Sequence, residues 1–533
     1  MKLMLLIKSV SRVDKLTVFL LWVLFSALFF ASSVGGMNSG DGAHYALIQS
    51  LADDRTVIID KHARWTYFTD YVLRDGHYYS DRDPGLSYFS LPFYFAAKLI
   101  APIASKPYPT SSITDYDSVM QMLTSFFSVT CGSLIVITVF LFSRYWWKLD
   151  YFSSLIPSLV AGFGTLIWKY SSGLYRHHGA GLFLLLSVIM AILAIKKTKL
   201  IPLVCFFLGI AIFMEYTLLI LVPVIIFFLW FYKRQQKYIF ISILIGGIIG
   251  FSLPLLSIVF YNKAVTGKYI ANPHSYNSYI IHRKKLSDEF QTKLIDGLKI
   301  LLFSSKPIPA TALEYFKDKP EIANQMGSYW ATVWPFRGIF TTTPLLWLSV
   351  IALALRNNKR WYQGLALIYI PSIVYLLLMS KMTIIWSGNS YDTRYLLPIM
   401  PLVLLPGGIT INSLLTCRYP NIFNTIIKVL VAILIFILTS ISFYWGWFYN
   451  ITNYAPHVTG EHRFDLDKAL SFKYIITNLG EVLYHTFPNY NNLTILPHML
   501  IVSFIVIMAI TVLSIVLIKI NNLILYRLGK IKI

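Results

Sequence analysis

Residues 239–260, IFISILIGGIIGFSLPLLSIVF, form an apolar run that contains no charged side chain. The hydrocarbon core of a bilayer is roughly 30 Å thick, and a helix needs about 20 apolar residues to cross it. Backbone polar groups in lipid must pair within the segment, and the run lacks the alternating polarity of a barrel strand. It therefore predicts a transmembrane helix. Comparable runs lie at residues 16–33, 119–142, 429–447 and 500–518.

The composition of the whole chain is that of a membrane protein. Of the 533 residues, 56% are hydrophobic and 13% are charged, and the mean hydropathy is +0.62. About 25% of a typical soluble domain is charged. We predict an all-α fold, a polytopic transmembrane helix bundle of about twelve helices with amphipathic interfacial helices in the first outer loop. The helices are expected near residues 16–34, 119–143, 153–170, 173–195, 201–214, 215–232, 238–261, 336–355, 362–381, 395–416, 424–448 and 497–519.

Charged residues are divided unequally between the two sides of this bundle. The formal net charge is +22, yet the segments on the side of the termini contain only Asp14 and Asp150 as acidic residues. Cytoplasmic loops of membrane proteins carry an excess of Lys and Arg. We therefore expect a multi-pass protein of the plasma (inner) membrane, with both termini in the cytoplasm. This asymmetry accounts for the basic composition without a nucleic-acid partner.

Residues 201–232 decide the sidedness of the later segments. The run is long for one helix and short for two, and Glu215 lies in its middle. We predict a hairpin of a short and a full helix, whereas a single tilted helix would reverse the sidedness of half the chain. With the hairpin, the large outer segments are 37–118, 262–335 and 450–496. The cytoplasmic segments are short and carry neither a Walker loop nor a Rossmann fingerprint, so ATP hydrolysis is not expected.

The first outer segment begins with GDGAHYALIQSL at residues 40–51. His44, Leu47, Ile48 and Leu51 share one helical face. A helix here, directly after a spanning helix, is expected to lie in the membrane interface with that face down. Asp41 then either caps the helix or lines the mouth of a cavity in the bundle.

A second charged stretch, DGHYYSDRDPG at residues 75–85, precedes a predicted amphipathic helix over Leu86–Ala104. Pro84 suits the first turn of that helix. Asp81 and Asp83 flank Arg82. The three form either a solvated charge cluster or a phosphate site, in which the acidic neighbours hold the planar guanidinium.

These two stretches, GDGAHY…SL and DGHYYSDRDPGLSYFSLPFY, resemble the first outer loop of the GT-C superfamily. This family comprises membrane glycosyltransferases that use polyprenyl-phosphate sugars, such as the protein O-mannosyltransferases (family 39) and the aminoarabinose transferases of lipid A. The resemblance implies that Asp41 is the catalytic base and that Arg82 meets the lipid phosphate. Many members carry an acidic residue directly after the aspartate, whereas this chain has Gly42.

Four further motifs occur in the order of the family, up to about residue 406. YSSGLYRHHGAGLFLLLSVI is similar to the stretch with a histidine at the outer start of a helix, and FLGIAIFMEYTLLILVP is similar to an EYP…LP helix. PFRGIFTTTPLLWL and WSGNSYDTRYLLPIMPLVLLP complete the set, with Thr393 where proline is usual. The resemblance implies a catalytic module at 1–416, followed by C-terminal helices at 417–533 that match no family known to us. The positions placed by these motifs are His177, His178, Glu215, Arg337 and Arg394.

Each of these positions has a structural and a functional interpretation. His177, His178 and Glu215 either satisfy structural pairs or contact the substrate. Arg337 and Arg394 either anchor helices at the interface or bind the donor phosphate. Trp386, Tyr391 and Tyr395 form either an aromatic belt or a sugar-stacking platform. His44, Tyr79, Asp81 and Asp83 are the further candidates for substrate binding.

The leading hypothesis is an inverting glycosyltransferase that moves a sugar from a polyprenyl-phosphate carrier to an extracytoplasmic hydroxyl of a glycan, lipid or protein. No cofactor is required by the sequence. The sequence leaves open whether a divalent metal assists the reaction. The candidate ligands are Asp41, Asp81, Asp83 and His177. The three cysteines, Cys131, Cys205 and Cys417, lie in or beside apolar runs and have no metal or disulfide spacing. The rival hypotheses are a flippase for lipid-linked sugars and a ligase or polymerase of whole glycans.

Overall fold

The computed structural model describes residues 11–33, 39–104, 115–278, 290, 292–303, 338–355, 359–382, 392–416 and 423–451. These residues are almost entirely helical, with one two-stranded hairpin. Short 3-10 or π turns interrupt or extend several of the helices. The α-helices are α1 (Arg12–Ala31), α2 (Ser39–Gln49), α3 (Gly85–Ala104), α4 (Asp115–Thr124), α5 (Phe126–Leu141), α6 (Tyr151–Phe163), α7 (Ile167–Ser171), α8 (His177–Ala194), α9 (Ile201–Met214), α10 (Leu221–Lys233), α11 (Ile239–Thr266), α12 (Leu294–Phe303), α13 (Ile339–Thr342), α14 (Leu346–Ala352), α15 (Lys359–Ser380), α16 (Met400–Thr416) and α17 (Phe423–Ile451).

The predicted all-α membrane class is confirmed. Seven helical segments of the described ranges are long and apolar enough to cross a bilayer. Helix α11 has 28 residues, which is about 42 Å at 1.5 Å per residue. Large apolar side chains remain exposed along α11 and α17, including Phe240, Leu253 and Phe436. Exposed apolar surface of this extent is the surface that lipid covers, and the chain is a multi-pass membrane protein.

Eleven of the predicted helices correspond to helices of the structure, and the twelfth, 497–519, lies outside the described residues. The predicted segment at 153–170 is broken into α6 and α7, because the chain turns at Gly164. The segment at 336–355 is represented by the short helices α13 and α14. Arg337, Trp386, Tyr391, Cys417 and the loop 450–496 also fall outside the described ranges, apart from the last residues of α17.

The chain reverses direction at Glu215, as the hairpin prediction requires. Gly246 and Gly250 of α11 pack against Ile201 and Pro202 at the start of α9, while Gly209 packs against Pro254. Helices α9 and α11 are therefore parallel. Since α10 connects the end of α9 to the start of α11, it must run back through the bundle. Glu215 itself is extended, with φ −151° and ψ 105°, and separates the two helices.

The segment predicted as the first outer one, described over residues 39–104, packs onto the end of the bundle at which α9 and α11 finish, which we call the site end. It contains a β-hairpin that was not predicted, β1 (Tyr71–Arg74) paired antiparallel with β2 (His77–Ser80) around Gly76, whose φ is +80°. The hydroxyl of Tyr261 on α11 donates to the backbone oxygen of Ser80 over 2.9 Å. The guanidinium of Arg74 donates to the backbone oxygen of Ala264 over 2.8 Å.

Helix α2, which we predict to lie in the membrane interface with its apolar face down, is covered by protein on all of its faces. Residues 43–48 of this helix are all buried, on every side. Trp65 packs edge-on against Tyr45 at 5.5 Å, and α3 covers another side through Ser87 and Tyr94. The amphipathic helix predicted at 86–104 is confirmed as α3, which begins directly after Pro84 and still exposes Phe95 and Leu99.

The charge asymmetry predicts that the site end faces away from the cytoplasm. A cysteine at Ile270, which is 94% exposed at the site end, should react with a membrane-impermeant maleimide in intact cells. A cysteine at the exposed Gln235, on the turn between α10 and α11, should react only after permeabilisation. Both are placed in a variant without the three native cysteines. The reverse labelling pattern would contradict the predicted sidedness.

Candidate functional site

Asp41 lies in the first turn of α2 and is 4% exposed. The helix begins at Ser39, so Asp41 is inside the helix and the interpretation as its N-cap is wrong. The hydroxyl of Tyr175 donates a hydrogen bond to the Asp41 carboxylate. Burial, followed by the charge of Asp41, raises the pKa of Tyr175 well above its ordinary value. The phenol is therefore neutral and acts as the donor of this pair, and Asp41 is the acceptor.

The glycine after Asp41 is required by close backbone packing. A Cβ at Gly42 would lie 1.7 Å from the backbone oxygen of Trp65. No side chain fits there without moving the 3-10 segment Asp60–Thr66. The packing therefore leaves no room for a second carboxylate directly after Asp41.

Arg82 is held between two carboxylates. Its Nη2 forms an ion pair with Asp70, and its Nε lies 3.3 Å from Asp81 Oδ1. Burial alone would lower the pKa of Arg82, but Asp70 and Asp81 more than offset it and raise that pKa above its ordinary value. The interpretation of residues 81–83 as a solvated charge cluster is wrong, because the side chain of Asp81 is fully buried and that of Asp83 is nearly so.

Asp81 also binds the start of the second large outer segment. Its Oδ2 lies 2.8 Å from His274 Nδ1 and accepts a hydrogen bond from Asn277 Nδ2 over 2.8 Å. Burial would raise the pKa of Asp81, but Arg82, His274 and Asn277 outweigh burial and hold that pKa below its usual range. The carboxylate is therefore ionised and joins the two outer segments.

Asp83 pairs with Arg176, which precedes α8, over 3.2 Å. It also accepts the backbone N–H of Tyr216 over 3.2 Å, next to the reversal at Glu215. Burial raises the pKa of Asp83, and the positive charge of Arg176 opposes that rise. This pair ties the start of α3 to the start of α8.

His177 and Glu215 form a buried pair. The imidazole Nδ1 lies 2.8 Å from Glu215 Oε2. The other carboxylate oxygen accepts from the hydroxyl of Tyr375 on α15 over 3.1 Å and from Thr217 over 3.3 Å. The ring of His177 faces Tyr395 edge-on at 5.9 Å. The turn at Glu215 is thus fixed by α8 and α15.

Arg394 begins a 3-10 turn that leads into α16. Its backbone N–H donates to Asp392 Oδ1 over 3.0 Å, and its guanidinium lies 5.5 Å from the centre of the Tyr395 ring. Asp392 Oδ2 accepts from Lys169 Nζ over 2.8 Å and from the Tyr170 hydroxyl over 2.7 Å. Lys169 and Asp392 are both buried.

Among the other predicted substrate-binding residues, His44 lies within the cluster. It is buried one turn after Asp41, with Nδ1 3.4 Å from Ser87 Oγ. Burial, then Arg176 and Arg82, lower its pKa well below the ordinary value, so the ring is neutral. Tyr79 is a buried hairpin residue paired with Val72. His178 is buried, and neither ring nitrogen has a hydrogen-bond partner in the described part of the chain.

One cluster at the site end thus contains most of the predicted residues. Arg82 interacts electrostatically with Arg394. Tyr175 interacts with both Asp41 and Arg394. The positive charges of Arg82 and Arg176, together with His177, act on the His44 ring. Sequence reasoning missed several of the partners. Arg176 could have been identified from the sequence, because it is adjacent to His177. Lys169 could not, because it fell inside a predicted spanning helix. The missed residues are Asp70, Lys169, Tyr170, Tyr175, Arg176, His274, Asn277 and Asp392.

The four candidate metal ligands have other partners. Asp41 binds Tyr175, Asp81 binds Arg82 and His274, Asp83 binds Arg176, and His177 binds Glu215. Within the described ranges, no three His, Cys, Asp or Glu side chains gather in a way that could hold a metal ion.

The fold and site together define a class of protein, a polytopic helical membrane protein with a buried charged site at one end of its bundle. No family model and no curated protein matches the sequence. Solved structures similar to the chain include the oligosaccharyltransferase AglB of Archaeoglobus fulgidus in complex with an inhibitory peptide and a dolichol-phosphate. That likeness has 11% identity and a TM-score of 0.48, and it covers 89% of this chain and 60% of the other.

ArnT of Cupriavidus metallidurans is also similar, as the apo protein and bound to undecaprenyl phosphate. The apo structure has 11% identity and a TM-score of 0.43, with 90% of this chain and 78% of that chain covered. The undecaprenyl phosphate complex has 11% identity and a TM-score of 0.41. The chain spans less than two thirds of the archaeal protein.

The packing of Gly42 gives a stability test. Gly42→Ala should destabilise the folded protein by about 1–3 kcal/mol, the usual cost of overpacking, because the new methyl group meets the Trp65 backbone. Gly247→Ala is the matched control, since a Cβ at this helical glycine meets no atom within 4 Å. Thermal unfolding in detergent compares the two. Equal melting temperatures for both variants would show that the Trp65 backbone can move away from the added methyl group without cost.

Proposed function

We propose that the protein is an inverting glycosyltransferase that moves a sugar from a polyprenyl-phosphate carrier to an acceptor hydroxyl on the outer face of the plasma (inner) membrane. The observation that carries this proposal is the position of Tyr175. It hydrogen-bonds Asp41 and interacts electrostatically with Arg394, so a proton acceptor and a cation both lie near one tyrosine. A transfer from a phosphate leaving group needs these two groups on either side of the reacting carbon.

Asp41 is the general base in this mechanism. A general base must come within hydrogen-bond reach of the proton that it removes. The Tyr175 phenol stays protonated and donates to the carboxylate, so Asp41 is the hydrogen-bond acceptor of the pair. Asp41 takes the proton of the acceptor hydroxyl while the oxygen attacks the anomeric carbon of the sugar. The bond from that carbon to the phosphate oxygen breaks on the opposite face, so the configuration is inverted.

The arginines stabilise the departing phosphate. The electron pair of the broken bond stays on the phosphate oxygen, and fixed positive charges act most strongly where charge develops. Arg394 is held at its backbone by Asp392, and Arg82 is held at its guanidinium by Asp70 and Asp81. Arg337, which the resemblance also places near the phosphate, lies outside the described residues. His44, His177 and Tyr395 are the proposed contacts to the sugar.

The acceptor and the sugar are proposed only as classes. The acceptor is a hydroxyl of a cell-envelope glycan, a lipid or a protein, and the sugar is a hexose or a pentose. The isoprenoid chain of the donor lies against the exposed apolar helices. No nucleotide takes part in the step, because the donor is already activated by its phosphate.

Asp41→Asn should lower kcat by about 10²–10⁴-fold, the usual contribution of a general base, without preventing insertion. Transfer from a lipid-linked sugar is measured in proteoliposomes. Asp53→Asn, which removes a carboxylate from the same outer segment where it pairs with Lys98 and Tyr94, is the control and should keep activity. A folded Asp41→Asn protein that transfers at the wild-type rate would refute the assignment of the base.

Arg394→Gln should lower kcat by about 10²–10³-fold, since one stabilising group of the leaving phosphate is lost. Arg394→Lys should recover only part of the rate, because the ammonium cannot reproduce the planar fork. Arg234→Gln, at the opposite end beside Phe231, serves as the control for loss of an arginine. The anomeric configuration of the product, determined by NMR, tests inversion, and retention would contradict the mechanism.

A further inference from the structure

Lys169 is an unusual residue for its position. It lies on α7, a five-residue helix, and its side chain is 5% exposed. Lysine is almost never buried to this degree unless it is paired. Its partner is Asp392, which is 223 positions away in sequence, with Nζ 2.8 Å from Oδ2. The side chain of Asp392 is fully buried.

The Asp392 carboxylate connects Lys169 to both halves of the proposed site. Its Oδ1 accepts the backbone N–H of Arg394 and so sets the start of the 3-10 turn from which the Arg394 side chain leaves. Its Oδ2 also accepts the Tyr170 hydroxyl. The Tyr170 ring packs edge-on against Tyr175 at 4.6 Å, and Tyr175 donates to Asp41. One carboxylate therefore contacts the turn of the proposed phosphate ligand and supports the tyrosine next to the proposed base.

Stability alone is a weak reason for such a pair. The cost of removing two charges from water often exceeds their attraction, and apolar replacements of buried pairs are frequently neutral or stabilising. Ile167 and Trp168, the two residues before Lys169 on α7, are buried as well. A leucine or methionine would fill this space at lower electrostatic cost.

We propose that Lys169 and Asp392 are positioning residues that orient Arg394 towards the phosphate of the lipid-linked donor. This inference rests on the proposed function. Lys169 compensates the charge of Asp392, and Asp392 in turn fixes the turn at Arg394 and the Tyr170 hydroxyl. Neither residue touches the reacting atoms. Removal of the Lys169 ammonium, which leaves the hydrogen bond from Tyr170 to Asp392 in place, should weaken binding of the donor and leave binding of the acceptor unchanged.

The test uses the full-length protein in four variants: Lys169→Met, Lys169→Arg, Asp392→Asn and the double variant Lys169→Met with Asp392→Asn. We expect Lys169→Met to raise the KM for the donor about tenfold, with the KM for the acceptor unchanged, and Lys169→Arg to restore most of the donor affinity. Binding of undecaprenyl phosphate alone, measured by native mass spectrometry, gives the same comparison without turnover.

The double variant separates positioning from stability. It leaves no charge unpaired between these two residues, so its melting temperature should recover relative to either single variant, whereas the raised donor KM should persist. If stability and donor KM recover together, the pair is merely structural and the inference is overturned. Asp14→Asn, which breaks the Arg144 pair at the opposite end of the bundle, is the control and should lower stability without changing donor KM.

The two proposals fail in different ways. If the wild type transfers sugar and Lys169→Met binds the lipid phosphate as tightly as the wild type, the positioning role is wrong and the proposed function stands. If the wild type binds lipid phosphate and Lys169→Met weakens that binding, the inference holds even where a transfer assay lacks the right acceptor. A wild type that neither binds the lipid nor transfers sugar overturns both.

Discussion

The pairing of buried charges is the constraint on which the site end depends. An ionised group inside a low-dielectric interior is costly unless an opposite charge and hydrogen bonds compensate it. Here the partners come from distant parts of the chain: Asp83 with Arg176, Lys169 with Asp392, and Asp81 with His274. In each pair, one residue lies in a predicted outer segment or in a turn at the site end. Its partner lies on or next to a helix of the bundle, or in another predicted outer segment. The same contacts that satisfy the charges therefore hold the outer segments over the end of the bundle, which lipid-facing apolar helices alone would not do.

The helices could be predicted from sequence because the bilayer allows few alternatives. An uncharged run of about 20 residues has to be helical in lipid, whatever its neighbours are. The reversal at Glu215 was predictable for a related reason, since a carboxylate in the middle of a long apolar run favours a break at the membrane surface. The β-hairpin at 71–80 and the burial of α2 could not be predicted. Both depend on contacts with α11, α3 and the 3-10 segment at 60–66, which are distant in sequence or set by tertiary packing.

Several residues of the candidate site could be predicted from the sequence, but the contacts between them could not. The motifs identified Asp41, Arg82, His177, Glu215 and Arg394, and the structure brings them into one cluster. Their partners gave weaker signals. Lys169 fell inside a predicted spanning helix, because Gly164 is the only sequence signal for the break between α6 and α7. Tyr175 was not distinguished from the other tyrosines of the chain. A single sequence shows which residues are unusual for their surroundings, and only the fold shows which of them meet.

The pairing also assigns different chemical properties to the carboxylates of the cluster. Asp81 and Asp83 form ion pairs with arginines, so protonation of either would remove a counter-charge from a buried arginine. Asp41 instead accepts a hydrogen bond from a phenol whose pKa is raised. Protonation of Asp41 would leave this partner neutral. A group that gains and releases a proton in each cycle has to tolerate both states in its site. On this argument Asp41 is better suited to proton transfer than Asp81 or Asp83, whose partners are arginines.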